Sequence, residues 1–303
     1  MSAFTTLLNE ISRQLTIYVG LFVFILGTVG SLLNIYIFLS KKSFRSNSCA
    51  VYLLCASIYD LLYLFNAVLP RILTAFNIDP TTTSSVYCKL KFYLTLQFSL
   101  AAITFVLLAA VNRWLCSCRN ARYREWSNIK NTRLSIFITV ISCMLTPAPV
   151  LIYYDNINGK CSSISTAFSF YVSYFLNFIQ FAVLSIILPV YFGVRTYKNL
   201  HQRTAPVVRV ITVQRGISIR QRIENQLTRM LLLQICAATL FTAPYAVQLI
   251  YSNITAYVEK DLLRLAQENL FTTITRLAVY LSNASRFYIY FISSREIRKI
   301  FIH

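Results

Sequence analysis

Three ionisable side chains interrupt long apolar runs of this sequence. Asp60 lies in ASIYDLLYLF, Arg113 follows the run AAITFVLLAAV, and Arg286 lies in LSNASRFYIYF. An arginine guanidinium stays charged at physiological pH, and an unpaired charge in hydrocarbon costs about 3 kcal/mol or more. Charged residues in such positions form ion pairs, proton relays or ion-binding sites. The sequence therefore raises the question of which groups pair with these three side chains.

The other chemically reactive residue types are not grouped as they would be in an enzyme. The sequence has two histidines, His201 and His303, and we find no nucleophile–base set and no phosphate-binding glycine loop. Cys116 and Cys118 form a CSC motif, but two ligands without a nearby histidine make a weak metal site. The sequence therefore predicts that the protein is not an enzyme and has no cofactor or metal centre.

Seven apolar blocks carry the charged residues. The chain of 303 residues is 56% hydrophobic and 13% charged, which leaves too little polar surface for a soluble helical protein. A helix crosses the hydrocarbon core with about 20 residues, and the alternating pattern of a β-barrel is absent. The predicted fold is all-α: one domain over 1–303, a seven-transmembrane helix bundle with a short amphipathic helix at 293–302. The predicted spans are 17–39, 49–72, 88–115, 133–154, 169–194, 229–252 and 270–292.

Positive charge is distributed unequally between the two sides of the predicted bundle. The net charge is +19, and nineteen of the 29 Lys and Arg residues lie on the side of the C-terminus, against eight on the other side. Basic loops remain in the cytoplasm, so we expect a plasma-membrane protein with an extracellular N-terminus and a cytoplasmic C-terminus. The basic side suits anionic membrane lipid, whereas nucleic-acid binding would need a basic soluble domain and is not expected.

The predicted topology leaves one possible disulfide among the eight cysteines. Four cysteines lie within spans: Cys49, Cys55, Cys143 and Cys236. Cys116 and Cys118 lie at the cytoplasmic mouth of span three, where thiols stay reduced. Only Cys88 and Cys161 face the outside. A bond between them would connect the outer end of span three to the loop 155–168.

Six degenerate motifs, at matching spacings over nearly the whole chain, resemble those of rhodopsin-like (class A) G protein-coupled receptors. Arg113 lies 25 residues after Cys88 in the tripeptide NRW, where that family has Asp-Arg-Tyr. Asp60 lies in LLCASIYDLL, which is similar to the Leu-Ala-x-x-x-Asp motif of the family's second span. The resemblance implies that Arg113 faces a G protein and that Cys88 forms the outer disulfide.

Three further motifs lie in the second half of the chain, and a membrane-surface segment follows them. Pro189 precedes Tyr197 by eight residues, FTAP at 241–244 stands for Cys-Trp-x-Pro, and RFYIY at 286–290 stands for Asn-Pro-x-x-Tyr. SSREIRKIF resembles the short amphipathic helix that lies along the membrane. The seventh-span motif is most similar to invertebrate peptide receptors of the FMRFamide-receptor type, so the resemblance implies a peptide ligand.

The resemblance also implies a ligand pocket between the outer halves of the helices. We expect Arg71, Thr95, Tyr245, Gln248 and Arg276 to line it. Thr95 stands where amine receptors carry an aspartate, so an amine ligand is not expected.

The two arginines of the predicted pocket need acidic partners. They could bind an anionic group of the ligand, such as a peptide carboxylate. The alternative is that they pair with Glu259, Asp261 or Glu268 of the protein itself. The sequence leaves both readings open.

The resemblance implies a resting-state lock at the cytoplasmic mouth. Because Asn112 replaces the acid beside Arg113, the remaining candidate partner is Glu224, twenty residues before Pro244. We expect Arg113 to pair with the Glu224 carboxylate at rest. When the bundle opens, Tyr197 and Tyr290 would hydrogen-bond into the gap.

The charged residues of spans two and seven are expected to pair directly. In the resembling family a sodium ion often lies between the span-two Asp, a span-three Ser and a span-seven Asn. Here the span-three position is Ala102, which offers no side-chain oxygen, and span seven carries Arg286. A fixed cation would repel sodium, so we expect a buried ion pair between Asp60 and Arg286. The alternative is that Arg286 reaches cytoplasmic water and Asp60 is protonated.

These inferences together predict a cell-surface receptor that binds an extracellular ligand, expected to be a peptide, and activates a heterotrimeric G protein. The alternative is a seven-transmembrane chemosensory receptor or transporter that does not couple to G proteins. Transporters usually show inverted repeats and spans broken by Gly or Pro. With six glycines and no internal repeat, the sequence favours the G protein-coupled receptor.

Overall fold

Long helices make up most of the chain. The structure, a computed structural model, describes residues 3–40, 42–157, 159–207, 219–256, 258–294 and 297–298. The long helices are α1 (Ala3–Ser40), α2 (Ser48–Ala75), α3 (Ser85–Ser117), α4 (Ile129–Tyr153), α5 (Thr166–Gln202), α6 (Ile219–Ile254) and α7 (Leu262–Ala284), and α8 (Arg286–Ser293) follows. Shorter helices are Lys42–Arg45, Pro80–Thr82 and Ala121–Trp126. The predicted bundle of seven helices is confirmed.

The seventh span is built differently from the other six. Within the described residues, segments of α1 to α6 are long and apolar enough to cross a membrane, judged by length and composition. α7 is more polar, since it carries Arg264, Glu268 and Arg276. The helix also ends at Ala284, and α8 begins at Arg286. Of the predicted amphipathic helix 293–302, most lies outside the described residues.

A glycine contact sets α1 close to both α2 and α7. A Cβ atom on Gly27 would lie 2.6 Å from Leu64 Cδ1 and 3.1 Å from Ala284 Cβ. Leu64 and Ala284 are themselves buried, so a larger side chain at position 27 would displace packed atoms. The close approach of α1 places the junction of α7 and α8 beside α2, and thereby positions the residues that follow Ala284.

A small β-hairpin adds to the all-helical prediction. Strand β1 (Tyr154–Ile157) pairs antiparallel with β2 (Lys160–Ser163), and Asn156 is opposite Cys161. Gly159 in the turn has φ 75°, a left-handed conformation that glycine adopts without a Cβ clash. Part of the predicted loop 155–168 is therefore a β-hairpin, which lies at one end of the bundle.

We name the two ends of the bundle after residues near the two ends of α3. Cys88 lies near its beginning and Arg113 near its end, so we call these the disulfide end and the Arg113 end. The apolar core forms three clusters in the described residues, and two of them include residues of α2, one toward each end. Along α2, Ala56 belongs to the cluster nearer the Arg113 end and Tyr63 to the cluster nearer the disulfide end. Asp60 lies between them, so a polar layer separates the two cores.

Candidate functional site

Asp60 and Arg286 form an ion pair that is buried between α2 and α8. Arg286 Nη1 donates a hydrogen bond to Asp60 Oδ2, and the side chains are 9% and 2% exposed for Arg286 and Asp60. Arg286 Nη2 also donates to Asn283 Oδ1 at 3.1 Å. Asp60 Oδ1 and Asn34 Oδ1 are buried without a hydrogen-bond partner in the described part of the chain. The structure therefore brings together the two opposite charges that the sequence places in different spans.

The charges and ligands around the pair do not favour the binding of another cation. Arg286 is the first residue of α8, directly after the break at Ser285, so its side chain emerges where α7 ends. Ala102 on α3 is 2% exposed and offers no side-chain oxygen. A fixed guanidinium already neutralises the carboxylate. A buried charge of this kind is stabilised by its partner, because the isolated ion would lose most of its hydration.

Arg113 is buried at the end of α3, but its acceptor is an amide. The residue is 4% exposed. Nη2 donates to Asn47 Oδ1 at 2.7 Å, and Nη1 contacts the backbone carbonyl of Glu224 at 3.5 Å. The contacts between these described residues do not include an ion pair from Arg113 to the Glu224 carboxylate. The expected side-chain pairing is therefore corrected: Asn47, not the carboxylate of α6, is the close acceptor of the guanidinium.

Asn47 can accept from Arg113 because it ends the connection between α1 and α2. It is the N-cap of α2, and its Oδ1 accepts from the backbone amides of Cys49 at 3.1 Å and Ala50 at 3.4 Å. The same oxygen thus serves three donors, although it has two lone pairs. Asn47 was not among the residues predicted from sequence. The signal that could have identified it is an Asn directly before a span, which is a common N-cap position.

The other predicted residues near the Arg113 end, Asn112, Tyr290 and Tyr197, contact uncharged groups. Asn112 Nδ2 donates to Ser127 Oγ at 2.6 Å. Tyr290, which is 1% exposed, donates from Oη to Gln234 Oε1 on α6. Tyr197 is 61% exposed and its ring stacks on His201 at 6.3 Å. The structure therefore places Tyr290 inside the bundle against α6 and Tyr197 on its surface.

The predicted disulfide between Cys88 and Cys161 is confirmed. The bond connects the first turn of α3 to β2, with 5.7 Å between the Cα atoms. The neighbouring strand is also fixed to α3, since Lys89 Nζ lies 3.3 Å from Asp155 Oδ2. Hydrogen bonds from the Ser85 hydroxyl and from the Asn156 backbone amide lower the pKa of the Asp155 carboxyl. The hairpin is therefore attached to α3 by a covalent bond and by an ion pair.

Loss of the disulfide should lower both stability and surface expression. The bond closes a loop with a sequence separation of 73 residues, and closing such a loop stabilises by about 4 kcal/mol in the chain-entropy model. We expect Cys161→Ser to reduce surface labelling in cells and the melting temperature of the purified protein. Cys236→Ser is the control, because Cys236 is free and exposed on α6. Free thiols at both Cys88 and Cys161 in surface-expressed protein, measured by mass spectrometry, would contradict the bond.

A cavity of about 750 Å³ opens at the disulfide end. It lies between α1, α2, α3, α7 and the hairpin, and no residue of α5 or α6 is among the described residues that line it. Three of the five predicted pocket residues line this cavity: Arg71, Thr95 and Arg276. Asn66 in α2 fixes Thr95, since its Nδ2 donates to Thr95 Oγ1 at 2.9 Å.

The two predicted pocket residues of α6 lie elsewhere. Gln248 Nε2 donates to Thr272 Oγ1 at 2.7 Å and thereby connects α6 to α7. The ring of Tyr245 packs edge-on against Phe181, with 4.9 Å between the centroids. The predicted lining by Tyr245 and Gln248 is therefore wrong for this cavity, because both side chains are engaged between helices.

The cavity has lining residues that the sequence analysis did not find. α1 contributes Asn9, Ser12, Arg13 and Thr16, since it begins at Ala3 and not near residue 17. α3 contributes Lys91, one turn before Thr95. The signal for Lys91 was its position three residues after Cys88, which places it at the disulfide end of the same helix.

Comparisons with known proteins agree with this architecture. A profile of the family described as 7 transmembrane receptor (rhodopsin family) matches residues 30–285. The FMRFamide peptide receptor frpr-18 of Caenorhabditis elegans is 25% identical over 139 residues, which are 44% of this chain and 32% of that protein. Probable G-protein coupled receptor 34 of Pan troglodytes is 32% identical over 127 residues, 41% of this chain and 31% of that protein. The matches thus cover about a third of each relative's length. Because the family profile matches most of the chain, from the last third of α1 to the end of α7, this protein belongs to the rhodopsin family of seven-transmembrane receptors.

Proposed function

We propose that this chain is a plasma-membrane receptor that binds an extracellular peptide and activates a heterotrimeric G protein. In this proposal the disulfide end is extracellular and the Arg113 end is cytoplasmic. The excess of basic residues on the side of the C-terminus supports this orientation. The FMRFamide peptide receptor of Caenorhabditis elegans is similar over 44% of this chain, which supports a peptide ligand.

The observation that carries the proposal is the set of contacts between α6 and its neighbours at the Arg113 end. Arg113 contacts the Glu224 carbonyl, and Tyr290 donates to Gln234. Ser294 Oγ also donates to Gln226 Oε1 at 2.8 Å. All three acceptors are on α6, and all are uncharged. A movement of α6 away from α3 and α8 would break these bonds together.

Such a movement would change the partner of a buried cation. Arg113 Nε has no hydrogen-bond partner within the part of the chain that the structure describes. A guanidinium that donates to amide oxygens could exchange them for other acceptors, since the bidentate geometry of an arginine–carboxylate pair is not used here. In the proposal, a ligand that binds the open state better shifts the population toward it, and a G protein then contacts the exposed Arg113.

We expect Arg113→Ala to abolish G protein activation. The measurement is calcium release in cells that express a promiscuous Gα subunit and are exposed to a peptide library, at equal surface expression. Arg264→Ala is the matched control, because Arg264 lies at the other end of the bundle and pairs with Glu268. A response that stays unchanged in Arg113→Ala would contradict the proposal. A ligand-evoked current that survives G protein blockade would instead support the alternative of a receptor without G protein coupling.

A further inference from the structure

We infer that the cavity at the disulfide end binds an anionic group of the ligand, a carboxylate or a phosphate. The inference rests on the proposal that the chain is a ligand-binding receptor, and it adds the chemistry of the group and its position. The group would lie between α2, α3 and α7, where Arg71, Lys91 and Arg276 line the cavity.

The charges of the cavity lining do not balance. Four basic residues line it, namely Arg13, Arg71, Lys91 and Arg276, against the single acid Asp79 among the described lining residues. Arg13 is already neutralised, since its Nη2 and Nε lie 2.7 and 2.9 Å from the carboxylate oxygens of Glu10. Three cations therefore remain for one carboxylate.

The carboxylate of Asp79 also has other donors. Its Oδ1 accepts from the Thr81 backbone amide at 3.0 Å and from the Thr81 hydroxyl at 2.6 Å. Asp79 attracts Lys91 electrostatically but makes no ion pair with it in the described residues. The acid therefore reduces the positive charge of the cavity without neutralising it.

Three basic residues outside the cavity at the same end of the bundle are paired. Lys89 pairs with Asp155, and Lys260 and Arg264 share Glu268, with nitrogen–oxygen distances of 2.5 to 3.3 Å. Glu268 therefore does not serve Arg71 or Arg276, and Asp261 caps α7. No ion pair among the described residues joins Arg71 or Arg276 to Glu259, Asp261 or Glu268, so the structure does not show these acids neutralising the pocket arginines.

The three cavity cations lack such partners. Arg71, Lys91 and Arg276 are partly buried, and across the described ranges none of them makes an ion pair. Partly buried like charges repel one another more strongly than charges in water. An anionic group between them would remove this repulsion and would receive charge-assisted hydrogen bonds.

The size and lining of the cavity suit a compact ligand or one terminus of a peptide. Its volume of about 750 Å³ falls within the range of small-molecule sites, about 300–1,000 Å³. Asn9, Asn269 and Thr95 add neutral polar groups to the wall. Thr273 of α7 lines the cavity, and its neighbour Thr272 accepts a hydrogen bond from Gln248 of α6. A ligand in the cavity would therefore contact α7 next to a bond that connects α7 to α6.

The test uses the purified full-length protein and small anions as probes. The melting temperature is measured with millimolar pyrophosphate and with millimolar succinate as probes. Chloride at equal ionic strength is the control. A ligand that binds only the folded state raises the melting temperature, so we expect at least one of the two probes to raise it by about 2 °C or more. A response to pyrophosphate alone indicates a phosphate group, and a response to succinate indicates carboxylates.

Charge-neutral variants locate the effect. We expect Arg71→Gln and Arg276→Gln to fold at least as well as the unmodified protein, since each removes an unpaired charge, and to lose the anion-dependent shift. Arg264→Gln is the matched control and should keep the shift. No shift in the unmodified protein, or a shift that persists in both cavity variants, would overturn the inference.

The same variants separate this inference from the proposed function. If peptides activate the receptor, Arg71→Gln should weaken the potency of acidic peptides by about tenfold, the loss of one charge-assisted bond. Equal potency of acidic peptides and their amidated neutral forms would overturn the anionic site while leaving G protein coupling intact. An anion-dependent shift without any G protein activation would support the anionic site but would contradict the proposed G protein coupling.

Discussion

Exchanging the two charges of the buried ion pair should restore much of what either single substitution destroys. Asp60→Asn or Arg286→Ala alone is expected to abolish most surface expression, because removal of one partner of a buried pair costs about 3–5 kcal/mol. The double variant Asp60→Arg with Arg286→Asp keeps one charge of each sign in the same polar layer. Surface labelling and the melting temperature of all three variants in one detergent would measure the recovery.

The control for this exchange is the amide that touches the pair. Asn283→Ala removes only the 3.1 Å bond from Arg286 Nη2 and should cost about 1.5–3 kcal/mol, less than the loss of the ion pair. If Arg286→Ala is as well expressed as Asn283→Ala, Asp60 does not depend on a cationic partner. Agonist binding that varies with sodium concentration would equally contradict a site that Arg286 already occupies.

Replacing Asn47 by serine should raise ligand-independent signalling at least about fivefold. Serine is also a favoured N-cap, so α2 keeps its cap, but its shorter side chain does not reach Arg113. The resting state loses a hydrogen bond to a charged group, which contributes about 1.5–3 kcal/mol. Because 1 kcal/mol is already about a fivefold change in population, a fivefold rise is the smallest that we expect. The measurement is basal G protein activity at equal surface expression.

Two further variants test whether Asn47 or Glu224 holds Arg113 at rest. Asn47→Asp supplies a carboxylate at the same position and should lower basal signalling below that of the unmodified receptor. Glu224→Ala keeps the backbone carbonyl that Arg113 contacts, so we expect a smaller rise than for Asn47→Ser. If Glu224→Ala raises basal activity and Asn47→Ser does not, the carboxylate is the partner of Arg113 in the membrane.

The parts of this structure that were predictable from sequence are those under the strongest physical constraint. Opposite charges in apolar spans have few ways to be stabilised, so Asp60 and Arg286 could be matched without knowing the helix rotations. Cys88 and Cys161 were the two cysteines left on one side of the predicted topology. In both cases one large energy term excludes nearly all alternatives.

The features that were missed depend on smaller energies or on local geometry. Arg113 could donate to any of several neutral acceptors, each bond contributing about 1.5–3 kcal/mol, so the choice of Asn47 follows from backbone positions. The rotation of α6 about its axis decides whether Gln248 faces the cavity or Thr272. The spacing of residues along the chain does not determine this rotation. Hydropathy marks where a helix lies in lipid, so it missed the first turns of α1, where Asn9 and Ser12 are polar.

The length of α1 links the cavity to the thickness of the membrane. A helix of 38 residues is about 57 Å long, whereas the hydrocarbon core is about 30 Å thick. Helices adapt to thicker or thinner bilayers by tilting. Because α1 runs without a break from Ala3 to Ser40, a tilt set by lipid around its apolar half also moves Asn9 and Ser12 at the cavity wall. A change of bilayer composition would thereby alter the shape of the cavity that we propose as the ligand site.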